Sequence, residues 1–243
     1  MVIRRGVVVD AVTFDLDDTL FPQSAFLAGA WDAVADAAPD LIDRSALRVA
    51  LSTVAAEGSD RGRIIDRALE RIGCSGSVDV AGLVEVFRHH QPARLDAYPG
   101  AADAVARLRR RVPVGLITDG DVEVQEAKLR ALGLADAFDV VVCSDRFGRA
   151  QRKPSPVPFG AALRALGARP ARSVHVGDRP AKDVVGALRA GMAALRVRTG
   201  EYSAAPDLDR VQGSVPDVTA AVTVIEHWLD AGGRVGLGGE PVS

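Results

Sequence analysis

The chain has 243 residues, 48% of them hydrophobic and 26% charged, with a net charge of −2. That balance predicts one large globular domain, or a domain with an insertion, and excludes a disordered chain. A near-neutral charge gives no electrostatic case for nucleic acid or a membrane surface, and no apolar run approaches the roughly 20 residues that span a bilayer. Cys74 and Cys143 stand far apart in no metal-binding spacing, so a reduced, cytoplasmic setting is expected. Basic residues precede Val7–Val9, but Asp10 interrupts that run and no small-residue cleavage site follows. This reads as a strand rather than a signal peptide. Lysine occurs only at Lys128, Lys153 and Lys182. The abundant arginine, with much Ala and Gly, looks like codon bias, and it draws attention to Lys153, which falls in a loop.

In chain order, Val7–Phe14 is apolar and rich in β-branched residues, and predicts a buried strand. It runs into Asp15-Leu16-Asp17-Asp18-Thr19-Leu20. Asp15 and Asp17 share one side of an extended chain. Crowded carboxylates repel one another and resist desolvation, so packing does not explain them. Either this is a solvated acidic turn or a cation neutralises it. A tight cluster of oxygen ligands suits Mg²⁺ shared with a substrate phosphate.

Apolar spacing predicts helices over Ser24–Ala38 (with Ser24 as a possible N-cap), Asp43–Ala56, Ser59–Ile72 and Asp79–His90. They form an inserted helical subdomain over 23–95. From Tyr98 the pattern alternates. Helices are expected over Ala101–Arg111, Val122–Leu132, Phe159–Leu166, Ala181–Ala190 and Asp217–Leu229. Strands are expected over Val112–Thr118, Phe138–Cys143, Ser173–Val176 and Ala193–Val197. Such alternation predicts a Rossmann-like α/β fold, a parallel sheet covered by helices on both faces. The core domain is then 1–22 with 96–231, the helical cap 23–95, and the Gly-rich segment 232–243 a disordered tail. No internal repeat is present.

In a parallel sheet the strand ends share one edge, where ligands bind. Asp15 and Asp17, then Thr118 and Asp119, then Lys153, then Asp178 and Asp183 are expected to meet there. Singly, each has a plainer reading. Thr118 could cap a helix, Lys153 could be a solvated charge, Asp178 could close a turn, and Asp183 could favour a helix start.

Asp15-Leu16-Asp17-Asp18-Thr19, Thr118 after its strand, Lys153-Pro154-Ser155-Pro156 and Gly177-Asp178-Arg179-Pro180-Ala181-Lys182-Asp183 together resemble the four motifs of the haloacid dehalogenase-like hydrolases. The resemblance runs to about Trp228 and includes a cap inserted after the first motif. One departure is Asp119, where the family often has Asn; it adds negative charge near a phosphate contact. The resemblance implies that Asp15 is the nucleophile and becomes aspartyl-phosphate. It also implies that Asp15, the Asp17 backbone carbonyl and Asp178 hold Mg²⁺. Thr118, Asp119 and Lys153 then contact phosphate, and Asp183 keeps Lys153 or the metal waters in place.

An anionic nucleophile and an anionic phosphate at about 4 Å repel by about 4 kcal/mol at an effective dielectric near 20, so positive charge is required. Asp17 can protonate a leaving alkoxide and later activate water. In dehalogenating members that position is not a carboxylate, because halide leaves without a proton. The expectation is therefore a Mg²⁺-dependent phosphomonoesterase acting on a small phosphorylated metabolite, a sugar phosphate or nucleotide, as a monomer or homodimer. A phosphomutase of the same fold and a phospho-accepting signalling module are the alternatives. The cap is expected to close over the site and select the substrate. It carries Trp31, Arg44, Arg61, Arg88, His89, His90 and Arg94, with the two histidines read as surface. His175 lies within a strand and reads as core.

Overall fold

A computed structural model describes residues 6–58, 61–74, 76 and 78–233. The chain forms two compact units, one of 1–22, 96–122 and 133–243, the other of 23–95 and 123–132.

The first unit is built on six parallel strands: β1 (Ala11–Phe14), β2 (Val114–Thr118), β3 (Val140–Cys143), β4 (Ser173–Gly177), β5 (Ala193–Val197) and β6 (Gly213–Val215), in the order β3-β2-β1-β4-β5-β6. Phe14, the last residue of β1, pairs with Leu116 and with Val176, so β2 runs two residues and β4 one residue further at the same edge. β1 is wholly buried at the centre, which its β-branched and aromatic residues suit. It is shorter than the apolar run that encodes it. Asp10 instead pairs with Arg169 and Arg172, and Val8 is exposed.

Helices cover both faces. α7 (Val157–Leu166) packs on β2 and β3, and with α8 (Val185–Arg189) buries Phe159, Ala162, Leu163 and Ala187 against Ile117, Val142 and Ala194. α5 (Ala101–Arg109) packs on β2 and α9 (Val218–Gly233) on β5 and β6, and these two helices meet each other. Gly232 and Gly233 therefore end a helix, and the rest of the expected tail lies outside the described residues. β6 is an element the sequence reading missed: three residues, one of them Gly and one Ser, give too little alternation to detect. The helix expected over 181–190 opens instead as a wide π-turn over Pro180–Val184. Pro180 lacks an N–H, and the N–H groups of Lys182, Asp183 and Val184 all reach back to the Arg179 carbonyl.

Arg196 on β5 is fully buried. It donates to the backbone carbonyls of Asp178, Tyr202 and Ala205 and to the Asp207 carboxylate at 2.7 Å. It thus ties the loop after β5 to the end of β4. Arg196→Met would orphan several of these acceptors, and a loss of about 3 kcal/mol is expected in urea unfolding.

The second unit contains α1 (Gln23–Asp36), α2 (Arg44–Ala56), α3 (Ile64–Arg71) and α4 (Val80–Arg88), with most of α6 (Val122–Ala131). Trp31, Val34, Leu47, Leu51, Ile65, Leu69 and Leu83 form its core. Asp43 caps α2 by accepting from the N–H groups of Ser45 and Ala46, while Ser24 lies inside α1 rather than capping it. Ser59, the expected start of the third helix, lies outside the described residues. Arg44 and Arg88 pair with Asp40 and Glu85 at the surface. His89 is exposed, whereas His90 sets its ring edge-on to Phe26. Among the described residues no helix is long and apolar enough to cross a membrane.

Candidate active site

The loop after β1 doubles back tightly. The Asp18 N–H donates to the Phe21 carbonyl, and Asp18 takes a left-handed φ of 57°. Leu16 turns into the core, and Asp15 on the alternate side becomes buried at the sheet edge. The loop after β5 braces this turn. Thr199 donates to the Asp18 carbonyl, and the Glu201 N–H donates to the Asp18 carboxylate at 3.2 Å. A Cβ on Gly200 would lie 2.0 Å from Asp18 Cγ, and its φ is 61°, so only glycine fits there.

Lys153 is buried and donates its ammonium to Asp15 Oδ1, to Asp183 Oδ1 at 2.7 Å and to the Ile117 carbonyl at 3.2 Å. Two buried carboxylates share one cation. Burial alone would discharge Lys153, but the Asp15 and Asp183 charges outweigh it and hold its pKa above the usual lysine range.

One oxygen each of Asp15, Asp178 and Asp183 lies within 4.8 Å of the others. Their hydrogen bonding separates them. Asp183 is saturated: Oδ1 accepts from Lys153 Nζ and lies 3.3 Å from His175 Nε2, and Oδ2 accepts from the Arg179 N–H at 3.0 Å. A Cβ on Gly177 would lie 2.5 Å from Asp183 Cγ, so this close return of the π-turn requires glycine. Asp178 differs. Its Oδ1 is reached by the Thr19 hydroxyl at 3.4 Å, and its buried Oδ2 has no partner.

The titration follows. Burial, then the charges of Asp183, Asp15 and Asp18, push the Asp178 carboxyl up to about 9. Burial raises Asp15 to about 7, with Lys153 opposing and Asp183 and Asp17 adding to the rise. Burial works against the Asp183 charge too, but Lys153 and the His175 hydrogen bond win and hold it well below the carboxylate range. A cluster short of positive charge, with a buried oxygen aimed at nothing, fits a divalent cation held by Asp15 and Asp178. Asp183 belongs to Lys153 instead.

Asp17 is half-buried beside Asp15. The Thr118 hydroxyl is buried without a protein partner, so it caps no helix. Asp119 Oδ1 accepts from Ser144 Oγ at 2.7 Å and from the Lys153 N–H at 3.0 Å, and its Oδ2 pairs with Lys182 at 3.4 Å. The added negative charge is thus offset locally, and the carboxylate anchors the Lys153 loop. The sequence reading assigned no role to Thr19, although its hydroxyl lies between Asp15 (3.2 Å) and Asp178. Its place in the Asp15–Thr19 motif was the available signal. Lys182 likewise stood within the Gly177–Asp183 motif, whereas Ser144 and Arg196 carried no local signal.

A parallel sheet whose carboxyl edge gathers buried acids around one lysine defines an α/β enzyme with a carboxylate–lysine centre. The comparisons with known proteins sharpen this. The chain belongs to the haloacid dehalogenase-like hydrolases, whose family model matches residues 9–191, and it is a hydrolase. It is 36% identical over 218 residues to a glyceraldehyde 3-phosphate phosphatase of Methanopyrus kandleri, covering 86% of this chain and 91% of that one. It is 34% identical over 209 residues to a phosphoglycolate phosphatase of Rhodospirillum rubrum, covering 81% and 82%. Among solved structures, a 2-haloacid dehalogenase of Pseudomonas syringae pv. tomato superposes with a TM-score of 0.64 at 28% identity, covering 90% of this chain and 99% of that one.

Proposed function

We propose that the protein is a Mg²⁺-dependent phosphomonoesterase that works through an aspartyl-phosphate on Asp15. The observation that carries this reading is the buried Lys153 ammonium bonded to both Asp15 and Asp183, next to the unpartnered Asp178 oxygen. In the proposed reaction the Asp15 carboxylate attacks phosphorus, and Asp17 gives its proton to the departing alkoxide. Asp17 then takes a proton from water, which attacks the acyl phosphate and releases inorganic phosphate. Lys153 offsets the repulsion between Asp15 and the incoming phosphate, and Thr118 offers its hydroxyl to a transferring oxygen. Asp15, Asp178 and the Asp17 carbonyl would hold Mg²⁺, which would supply the remaining positive charge.

The fold is shared with a dehalogenase, so Asp17 carries the choice between reactions. A halide needs no proton, and a carboxyl placed beside the nucleophile is of use only when the leaving group needs one. The relatives' names favour a short phosphate ester over a nucleotide. A panel of phosphate monoesters and 2-haloacids, assayed with Mg²⁺ and then with EDTA, tests the reading. Phosphate release that stops on chelation is expected, with no halide release; the reverse pattern would overturn it.

The raised carboxyls set a pH dependence. A group whose folded pKa is raised above its ordinary 3.8 stabilises the fold while protonated, below that value, and the contribution is lost as pH climbs through the folded pKa. Without metal, stability should therefore decline from about pH 3.8 upward, most steeply up to about 7 where both groups contribute, and level off above about 9. Mg²⁺ must displace those protons, so its gain in Tm is expected to be larger at pH 8 than at pH 6. At a hundred times Kd the gain corresponds to about 2.7 kcal/mol. Differential scanning calorimetry with Mg²⁺ or EDTA checks this, and a gain that shrinks with pH would contradict it.

A further inference from the structure

We propose that Thr13 and His175 are positioning residues for the reaction, fixing Asp183 and, through it, Lys153. Both are buried in neighbouring central strands, where their register pairs them, Thr13 on β1 opposite His175 on β4. Thr13 Oγ1 lies 2.9 Å from His175 Nδ1, and His175 Nε2 lies 3.3 Å from Asp183 Oδ1. That same oxygen accepts from Lys153 Nζ, which reaches Asp15. A continuous buried chain thus joins the middle of the sheet to the reacting carboxylate.

The roles along this chain are forced. Asp183 is ionised and can only accept, so Nε2 must carry a proton. In a neutral ring Nδ1 is then an acceptor, and the Thr13 hydroxyl, free to rotate, is its donor. Burial holds the imidazole below its ordinary pKa, in keeping with a neutral ring. Phe159 packs edge-on against the ring, with centroids 4.9 Å apart, and stops it turning. A polar pair in the centre of a parallel sheet is costly unless satisfied. Valine or leucine at both positions would pack there without that requirement. The pair makes sense as a device that holds one carboxylate oxygen at a fixed point for Lys153. Without it, Asp183 Oδ1 keeps Lys153 as its one remaining partner, and the carboxylate that helps aim Lys153 at Asp15 is held less firmly.

The inference rests on the phosphatase reading for its kinetic arm only. Long-range ¹⁵N–¹H NMR of the wild-type imidazole, assigned by its disappearance in His175→Gln, is expected to show a single neutral Nε2–H tautomer. An Nδ1–H or doubly protonated ring would overturn the wiring. In steady-state kinetics on an aryl phosphate at saturating Mg²⁺, His175→Leu is expected to lower kcat by about 10–100-fold with KM little changed. His175→Gln places an amide N–H where the ring has Nε2 and should recover most of that loss. His175→Asn reaches only the Nδ1 position and should recover none. Folding of each variant is checked by circular dichroism at the assay temperature. A folded Leu variant with wild-type kcat, or Gln and Asn variants equally impaired, would overturn the positioning role. A wild-type protein inert on all phosphate esters would overturn the phosphatase reading and the catalytic half of this proposal with it. A wrong tautomer in an active enzyme would overturn this proposal alone.

Discussion

Asp15→Asn is expected to lower phosphate release by on the order of 10⁴–10⁶, the scale on which removal of a covalent nucleophile is felt. The substitution preserves shape and keeps a partner for the Thr19 hydroxyl and for Lys153. The fold should persist, because Asp183 still neutralises Lys153 and Leu16 and Thr19 still pin the loop. What disappears is the anionic oxygen that, in the proposed reaction, bonds to phosphorus. Acid-quench trapping with labelled substrate distinguishes this from a general loss of binding. Wild-type protein should yield a covalent phosphoryl adduct on Asp15, and the variant none. A variant that keeps full activity would falsify the nucleophile assignment.

The second large effect concerns Lys153. Lys153→Met should cost about 3–5 kcal/mol of stability, because it strands two buried carboxylates that now share one cation. The direction with pH follows from Asp183. Its pKa is held low by Lys153, so its contribution is present above the ordinary carboxylate value and lost as pH falls through the folded one. The deficit of the Met variant should therefore be full at neutral pH and shrink in acid, where Asp183 is protonated in both proteins. Lys153 itself, with its pKa raised, contributes evenly at every pH below the ordinary lysine value. Activity should drop by about 10²–10³, the usual effect of losing one charged or hydrogen-bonding stabiliser of a developing anion. Lys153→Arg should not rescue it, since a planar fork cannot replace a point charge bonded to Asp15, Asp183 and the Ile117 carbonyl. Urea unfolding at about pH 3 and pH 8, one below and one above the ordinary carboxylate value, with activity assays at pH 8, checks both halves.

Much of this centre was legible because its parts sit where local pattern is strongest. Asp15 follows a β-branched run, Thr118 ends another, and Gly177-Asp178 ends a third, so strand period and strand end were readable together. The helical stretch of 23–95 showed itself through period alone. The errors fell where period is short or where a contact overrides it. Val7–Phe14 shortened because Asp10 is engaged by two arginines. The turn at Pro180 widened because three N–H groups converge on one carbonyl.

By itself, the order of residues determined that acids and a threonine would end parallel strands and that a lysine would follow one in a loop. Strand alternation is encoded locally, and parallel connection brings those ends to one edge. Only the tertiary structure separated the acids by their partners. Asp178 and Asp183 look alike as letters, yet one keeps a bare oxygen while the other is saturated by Lys153, His175 and the Arg179 N–H. Asp119 also anchors the Lys153 loop, with Lys182 and Ser144 beside it. His175 is core, as its strand position indicated, and is also a hydrogen-bonded link because Thr13 faces it from the neighbouring strand. Such partners lie up to 162 positions apart in the chain, and hydrogen-bond saturation at that separation leaves no trace in local periodicity.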